Sequence, residues 1–194
     1  MHESSLGGTL LDYITGQEIE ETTFEEFRQA LARFLVEEKG YPKENIRAKV
    51  KLRYEMDGEE FERPIDYVVY DDSDRPILLV IFCAGSVGTY ERETLFAARL
   101  LDGGPVPFAV TTDTNEATLL DVASGDVVEQ GMRAIPDWEN LLGMARGASS
   151  EPLTSDRREK MLRIFHTYSG FLFGTCCSES CTLPPPHPLL KKKD

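Results

Sequence analysis

RPIDYVVYDDSDRPILLVIFCAG, residues 63–85, reads as two hydrophobic strands joined by an acidic turn, with one carboxylate, Asp66, inside the first strand. A short acid on a rigid strand is a frequent beginning of a metal site, because the strand fixes its oxygens for a cation. Partners for it are expected on the second strand, where the relevant positions hold Ile81 and Cys83. PILLVIFCA, residues 76–84, is apolar on both faces, the pattern of a central strand covered on each side.

Outward from this pair, the chain alternates helical and extended patterns. TTFEEFRQALARFLVEEKGY places Phe24, Phe27, Leu31, Phe34 and Leu35 at three- and four-residue spacing, with Thr23 and Glu26 as a capping box and Gly40 and Pro42 as the stop. NIRAKVKLRYEMDGEEFERPIDYVVYDD alternates Ile46, Ala48, Val50, Leu52 and Tyr54 with Arg47, Lys49, Lys51 and Arg53, then turns at MDGEE into the Asp66 strand. TYERETLFAARLL is helical by period and PVPFAVTT is a buried strand. ATLLDVASGDVVEQG predicts a hairpin turning at Ser124 and Gly125. PDWENLLGMAR starts a helix with Pro136 near its first position, and SDRREKMLRIFHTYSGFLF is a last amphipathic helix capped by Ser155. The sum is an α/β domain over residues 1–150, a C-terminal helix over 151–175, and a tail over 176–194 rich in Cys, Pro and Lys.

With 194 residues and 41% hydrophobic content the chain is long enough to bury a core of its own. Its longest apolar run, Ile77 to Gly85, is far short of the roughly 18 to 20 residues that span a bilayer. The N-terminus lacks a charged-then-apolar signal, so the expected location is the cytoplasm, without a membrane partner. The net charge of −13 is uneven: residues 151–194 hold seven basic against five acidic groups, and residues 1–150 fourteen against twenty-nine. So acidic a body opposes general binding of a phosphate backbone unless a local basic stripe overrides the field.

ITGQEIEETTFEEFRQALARFLVEEKGYPKENI, followed by RPIDYVVYDDSDRPILLV and PVPFAVTTDTNEATLLD, resembles the family related to the N-terminal domain of type I restriction enzyme R subunits, over roughly residues 12–145. The resemblance implies a restriction-endonuclease-like fold, a mixed sheet flanked by helices, here with a helical C-terminal extension. It also implies Mg-dependent phosphodiester hydrolysis by a PD-(D/E)xK site, in which an Asp and a Glu hold the metal and a Lys orients water. Asp66 matches the first position of that site, and the Glu and Lys positions fall on Ile81 and Cys83. The supporting glutamine and tyrosine of the next helix fall on Phe96 and Leu100. Isoleucine has no donor atom, and a thiol is a soft ligand that stays protonated at neutral pH unless its pKa is lowered.

Two expectations follow. The first is a degenerate nuclease that serves as an interaction or regulatory module and carries no cofactor. Its partner is another protein or a second copy; the final helix, with Met161, Leu162, Phe165, Tyr168, Phe171, Leu172 and Phe173, either wraps its own core or pairs with that second copy. The second is a metal-dependent endonuclease with ligands relocated around Asp66, drawn from Glu91, Glu93, Glu26, Lys49 or Lys51. Asp66 has a structural alternative as well, bonding backbone amides or pairing with Arg63 or Arg75. The stripe Arg47, Lys49, Lys51 and Arg53 is the one candidate nucleic-acid contact, weighed against a solvated face balanced by nearby acids.

Cys176, Cys177 and Cys181, with Cys83 or His187, have workable but unspecific metal spacing, and free thiols are the plainer reading. His2, His166 and His187 are too dispersed for a triad. GSVG and LDGGP read as turns, and the terminal KKK as a solvated tail.

Overall fold

The computed structural model describes residues 3–148 and 151–170. The chain opens with a two-stranded antiparallel ribbon, β1 (Ser5–Leu11) and β2 (Glu18–Thr22). A six-stranded sheet follows, in the same order in space as in sequence: β3 (Ile46–Met56), β4 (Glu59–Tyr70), β5 (Pro76–Phe82), β6 (Phe108–Thr112), β7 (Ala117–Asp121) and β8 (Val127–Gln130). Neighbours are antiparallel except β5 and β6, which run parallel. A parallel neighbour requires a crossover, supplied by α2 (Val87–Leu100).

All seven residues of β5 are buried, because helices cover both faces of the sheet. On one face α1 (Glu25–Arg33) and α3 (Trp138–Gly147) pack Leu31, Ala32, Leu141 and Ala145 against Val69, Leu78 and Val80. On the other, α2 and α4 (Ser155–Ser169) pack Ala97, Leu100 and Phe165 against Leu79, Ile81 and Leu120. This is the mixed α/β architecture, with a helical C-terminal extension, that the resemblance implies. No described helix is long and apolar enough to cross a membrane. α4 buries Phe165 and part-buries Met161 and Leu162 on its own core; Phe171, Leu172 and Phe173 lie outside the described residues.

Local differences from the sequence reading have plain causes. The β1–β2 ribbon has no apolar alternation to announce it, since β1 contains Gly7 and Gly8 and lies mostly exposed. The N-cap position of α1 is Phe24, one residue beyond Thr23, and makes no side-chain cap, while Thr23 Oγ1 accepts from Ser4 N at 3.3 Å. α1 continues through a π-helical turn, Phe34–Glu38, and is stopped by Gly40 at φ +71°, a left-handed conformation that glycine adopts without strain. Tyr41 is thereby turned into the core, where its hydroxyl donates to the Pro136 carbonyl at 2.9 Å. At α4 the N-cap residue is Thr154, and Ser155 is the first helical residue.

Candidate functional site

Asp66 sits where β4 parts from β5. Ladder pairing joins Val69 to Leu78, Val68 to Leu79 and Tyr67 to Val80, and goes no further toward the start of β4. There the Asp66 side chain takes over as acceptor: Oδ2 receives the Phe82 N–H at 2.8 Å, so a buried main-chain donor stays satisfied although its strand partner has left. Pairing with β3 skips the same position. Ala48 faces Tyr67 and Val50 faces Ile65, while Lys49 between them has φ +52°. Ala48 packs with the α1/α3 core and Val50 with the α2/α4 core, so β3 changes faces at this residue.

The second oxygen of Asp66 is also engaged, by Arg28 of α1, whose Nε donates to Oδ1 at 2.6 Å. Arg28 falls on the helical stripe Phe24, Leu31 and Leu35, which directs it at the sheet. Its two terminal nitrogens reach the carboxylate of Glu3, and Nη1 lies 3.4 Å from Glu25 Oε2. The guanidinium carbon is 5.6 Å from the centroid of the Phe82 ring, and the Arg28 carbonyl accepts the Tyr67 hydroxyl at 2.7 Å.

Glu25, 2% exposed, extends the network. Its Oε2 receives Lys49 Nζ at 3.1 Å and its Oε1 receives Gln29 Nε2 at 3.0 Å. Gln29 also donates to Asp12 Oδ2 at 3.1 Å and accepts the Tyr13 N–H at 2.6 Å, which ties the turn between β1 and β2 to α1. One guanidinium therefore carries Glu3, Glu25 and Asp66 around it, and an ammonium group closes the cluster at Lys49.

The electrostatics follow from this packing. Burial raises the Asp66 pKa above its ordinary value, against the opposing charge of Arg28 and the Phe82 amide. Arg28 lowers that of Glu3 through its hydrogen bond. Burial acts to raise Asp12, but the bonds from Thr15 and Gln29 prevail and its pKa is lowered. Burial, aided by the carboxylates of Asp113 and Asp66, pushes the Cys83 thiol up to about 12, so it is neutral and unreactive.

These residues do not fit a divalent cation. Both Asp66 oxygens already hold donors, and a guanidinium stands on the carboxylate where a metal would have to approach. Ile81, 1% exposed, packs into the α2/α4 core, Cys83 is a protonated thiol, and Phe96 and Leu100 pack in that same core. Among the described residues no group of three or more His, Cys, Asp or Glu is placed to hold a metal ion.

The remaining sequence candidates scatter. Glu26 is exposed and Glu91 half-buried, whereas Glu93 is fully buried and accepts on Oε1 from Arg63 Nε and Ser169 Oγ, each at 2.9 Å. Arg75 pairs with Asp71 at 3.0 Å, so Asp66 takes its direct ion pair from Arg28. The basic stripe is neutralised residue by residue: Arg47 by Asp74, Lys49 by Glu25, and Lys51 and Arg53 by Glu62 at 2.8 and 3.2 Å. His166 Nδ1 is 3.3 Å from the Tyr54 hydroxyl, in an aromatic cluster with Phe61. His2, Cys176, Cys177, Cys181 and His187 lie outside the described residues.

Arg28, Glu25, Gln29, Glu3 and Asp12 are the residues that sequence reasoning missed. Arg28 left a signal, since a cation on the apolar stripe of a helix must find a buried counter-charge.

Compared with known proteins, residues 23–136 match the model of the family described as type I restriction enzyme R protein N terminus (HSDR_N). No curated protein and no solved structure gives a significant match.

Proposed function

Because the chain belongs to the type I restriction enzyme R protein N-terminal family, we propose that it is a catalytically degenerate member, a nuclease scaffold retained as an interaction or regulatory module. The observation that carries this reading is the Arg28 guanidinium, which satisfies the strand carboxylate that a nuclease would give to its metal. Hydrolysis by this fold needs an open oxygen ligand set and a group to activate water. Ile81 and Cys83 offer neither.

The ion pairs across Arg47, Lys49, Lys51 and Arg53 support a partner other than nucleic acid. Their charge is already met by Asp74, Glu25 and Glu62, so each cation would have to give up a carboxylate before it could neutralise a phosphate. A protein partner fits the acidic balance of the chain better.

The test is calorimetric titration of chelator-treated protein with Mn²⁺ and Mg²⁺, in parallel with Asp66→Ala, followed by cleavage assays on single- and double-stranded DNA and RNA. The expected result is no saturable metal binding and no cleavage. Saturable binding that Asp66→Ala abolishes, together with metal-dependent cleavage, would replace this reading with an endonuclease whose ligands have moved.

A further inference from the structure

Away from Asp66, on the opposite face of the sheet, a groove of about 490 Å³ opens between the first half of α4 and the segment joining α2 to β6. Its volume falls in the range of small-molecule sites. Pro105, Val106 and Pro107 form its floor, and α4 turns one helical face to it: Arg157, Lys160, Met161 and Ile164, at successive spacings of three, one and three residues. Ile164 remains 45% exposed although it is large and apolar.

The charge of the groove runs against that of the whole chain. Three cations, Arg99, Arg157 and Lys160, line it against one carboxylate, Glu151, in a protein of net charge −13. Elsewhere the cations of β3 and β4 are paired with acids, as described above, whereas Arg157 and Lys160 make no ion pair among the described residues.

Arg99 is held ready. Its Nε donates to the Val122 carbonyl at 2.8 Å and its Nη2 to the Ala123 carbonyl at 3.2 Å, which fixes the guanidinium and leaves other N–H groups free to donate. Gly125, at φ +85°, makes room for it: a Cβ there would stand 3.2 Å from Arg99 Nη2. Burial lowers the Arg99 pKa, with Asp121 offsetting part of the effect, so this partly desolvated cation lacks a directly bonded anion.

We propose that this groove binds a small anionic ligand with an apolar body, a carboxylate or phosphate monoester. Its charged end would meet Arg99, Arg157 and Lys160, and its hydrocarbon or aromatic part would lie on Pro105, Met161 and Ile164. The inference is independent of the reading at Asp66 and stands whether or not that site is catalytic.

The test is fluorescence titration of the full chain with 8-anilinonaphthalene-1-sulfonate, beside the uncharged N-phenyl-1-naphthylamine. Arg157→Glu, Lys160→Glu and their double variant are compared with the parent. Both residues are exposed, so the exchanges leave the core untouched. The parent should bind the sulfonate saturably at one site, and the double variant should bind it about tenfold or more weakly while its response to the neutral dye is unchanged. Octanoate and phenyl phosphate, added as competitors, distinguish a carboxylate from a phosphate ligand, and displacement by either supports the site. Equal affinity of parent and double variant for the sulfonate, absence of saturation, or failure of both competitors would overturn it.

Discussion

Asp66 Oδ1 lies 2.6 Å from Arg28 Nε, with 14% and 15% of the two side chains exposed. The pair joins α1 to the point where β4 leaves β5, and Asp66 holds the Phe82 amide with its other oxygen. A charge-assisted bond at so low an exposure is stronger than a surface ion pair. A double-mutant cycle with Arg28→Met and Asp66→Asn, read by urea unfolding, should therefore give a coupling of about 1.5–3 kcal/mol. A coupling near zero would mean that the two groups are solvated apart in solution.

Lys49 marks the position where reading the strand by alternation fails. Its left-handed φ of +52° lets Ala48 and Val50 pack into opposite cores. Such a conformation costs a residue with a Cβ about 1 kcal/mol relative to glycine. Lys49→Gly and Lys49→Ala lose the same contact with Glu25, so their difference isolates the backbone. The glycine variant should be the more stable of the two by about 0.5–1 kcal/mol in chemical denaturation. The opposite order would place Lys49 in an extended conformation.

The same residue explains what the sequence could and could not tell. Period and apolar density made β5, α2, β6 and β7 legible, because each buries a whole face or a whole strand, whereas the exposed β8 was legible through the Ser124-Gly125 turn that precedes it. The loss of ordinary nuclease ligands was legible too, in the identities of Ile81 and Cys83. What Asp66 does instead was not. Its partners lie 38 and 16 positions away, and the choice of Arg28 over Arg63 or Arg75 depends on how α1 crosses the sheet. Periodicity sets which face of a helix turns inward, but only tertiary packing sets what that face meets.

Glu93 provides a test of the opposite side of the molecule. Its carboxylate is 0% exposed, with Oε1 bonded to Arg63 and Ser169 and Oε2 without a hydrogen-bond partner among the described residues. Arg63→Met removes the counter-charge of a buried anion, and the expected destabilisation is about 3–5 kcal/mol. Adding Glu93→Gln to that variant should recover a large part of it, since the uncompensated charge is then gone. A cost below about 1 kcal/mol for Arg63→Met would mean that water reaches Glu93.

Acid should act on the two ends of the Arg28 network in opposite senses. Glu3 has a folded pKa below its ordinary 4.5, so its contribution is complete above that value and is lost as pH falls through the lower folded pKa. Asp12, lowered from 3.8, behaves likewise. Asp66 has a folded pKa above 3.8, so the folded state takes up its proton first and gains relative stability as pH falls from that raised value toward 3.8. Urea midpoints measured from about pH 7 to about pH 3 should therefore fall more gently with acid in Glu3→Gln than in the parent. They should fall more steeply in Asp66→Asn, which lacks the opposing group. Parallel acid limbs in all three proteins would show that neither carboxylate changes its pKa on folding, and the electrostatic account of the Arg28 cluster would then fail.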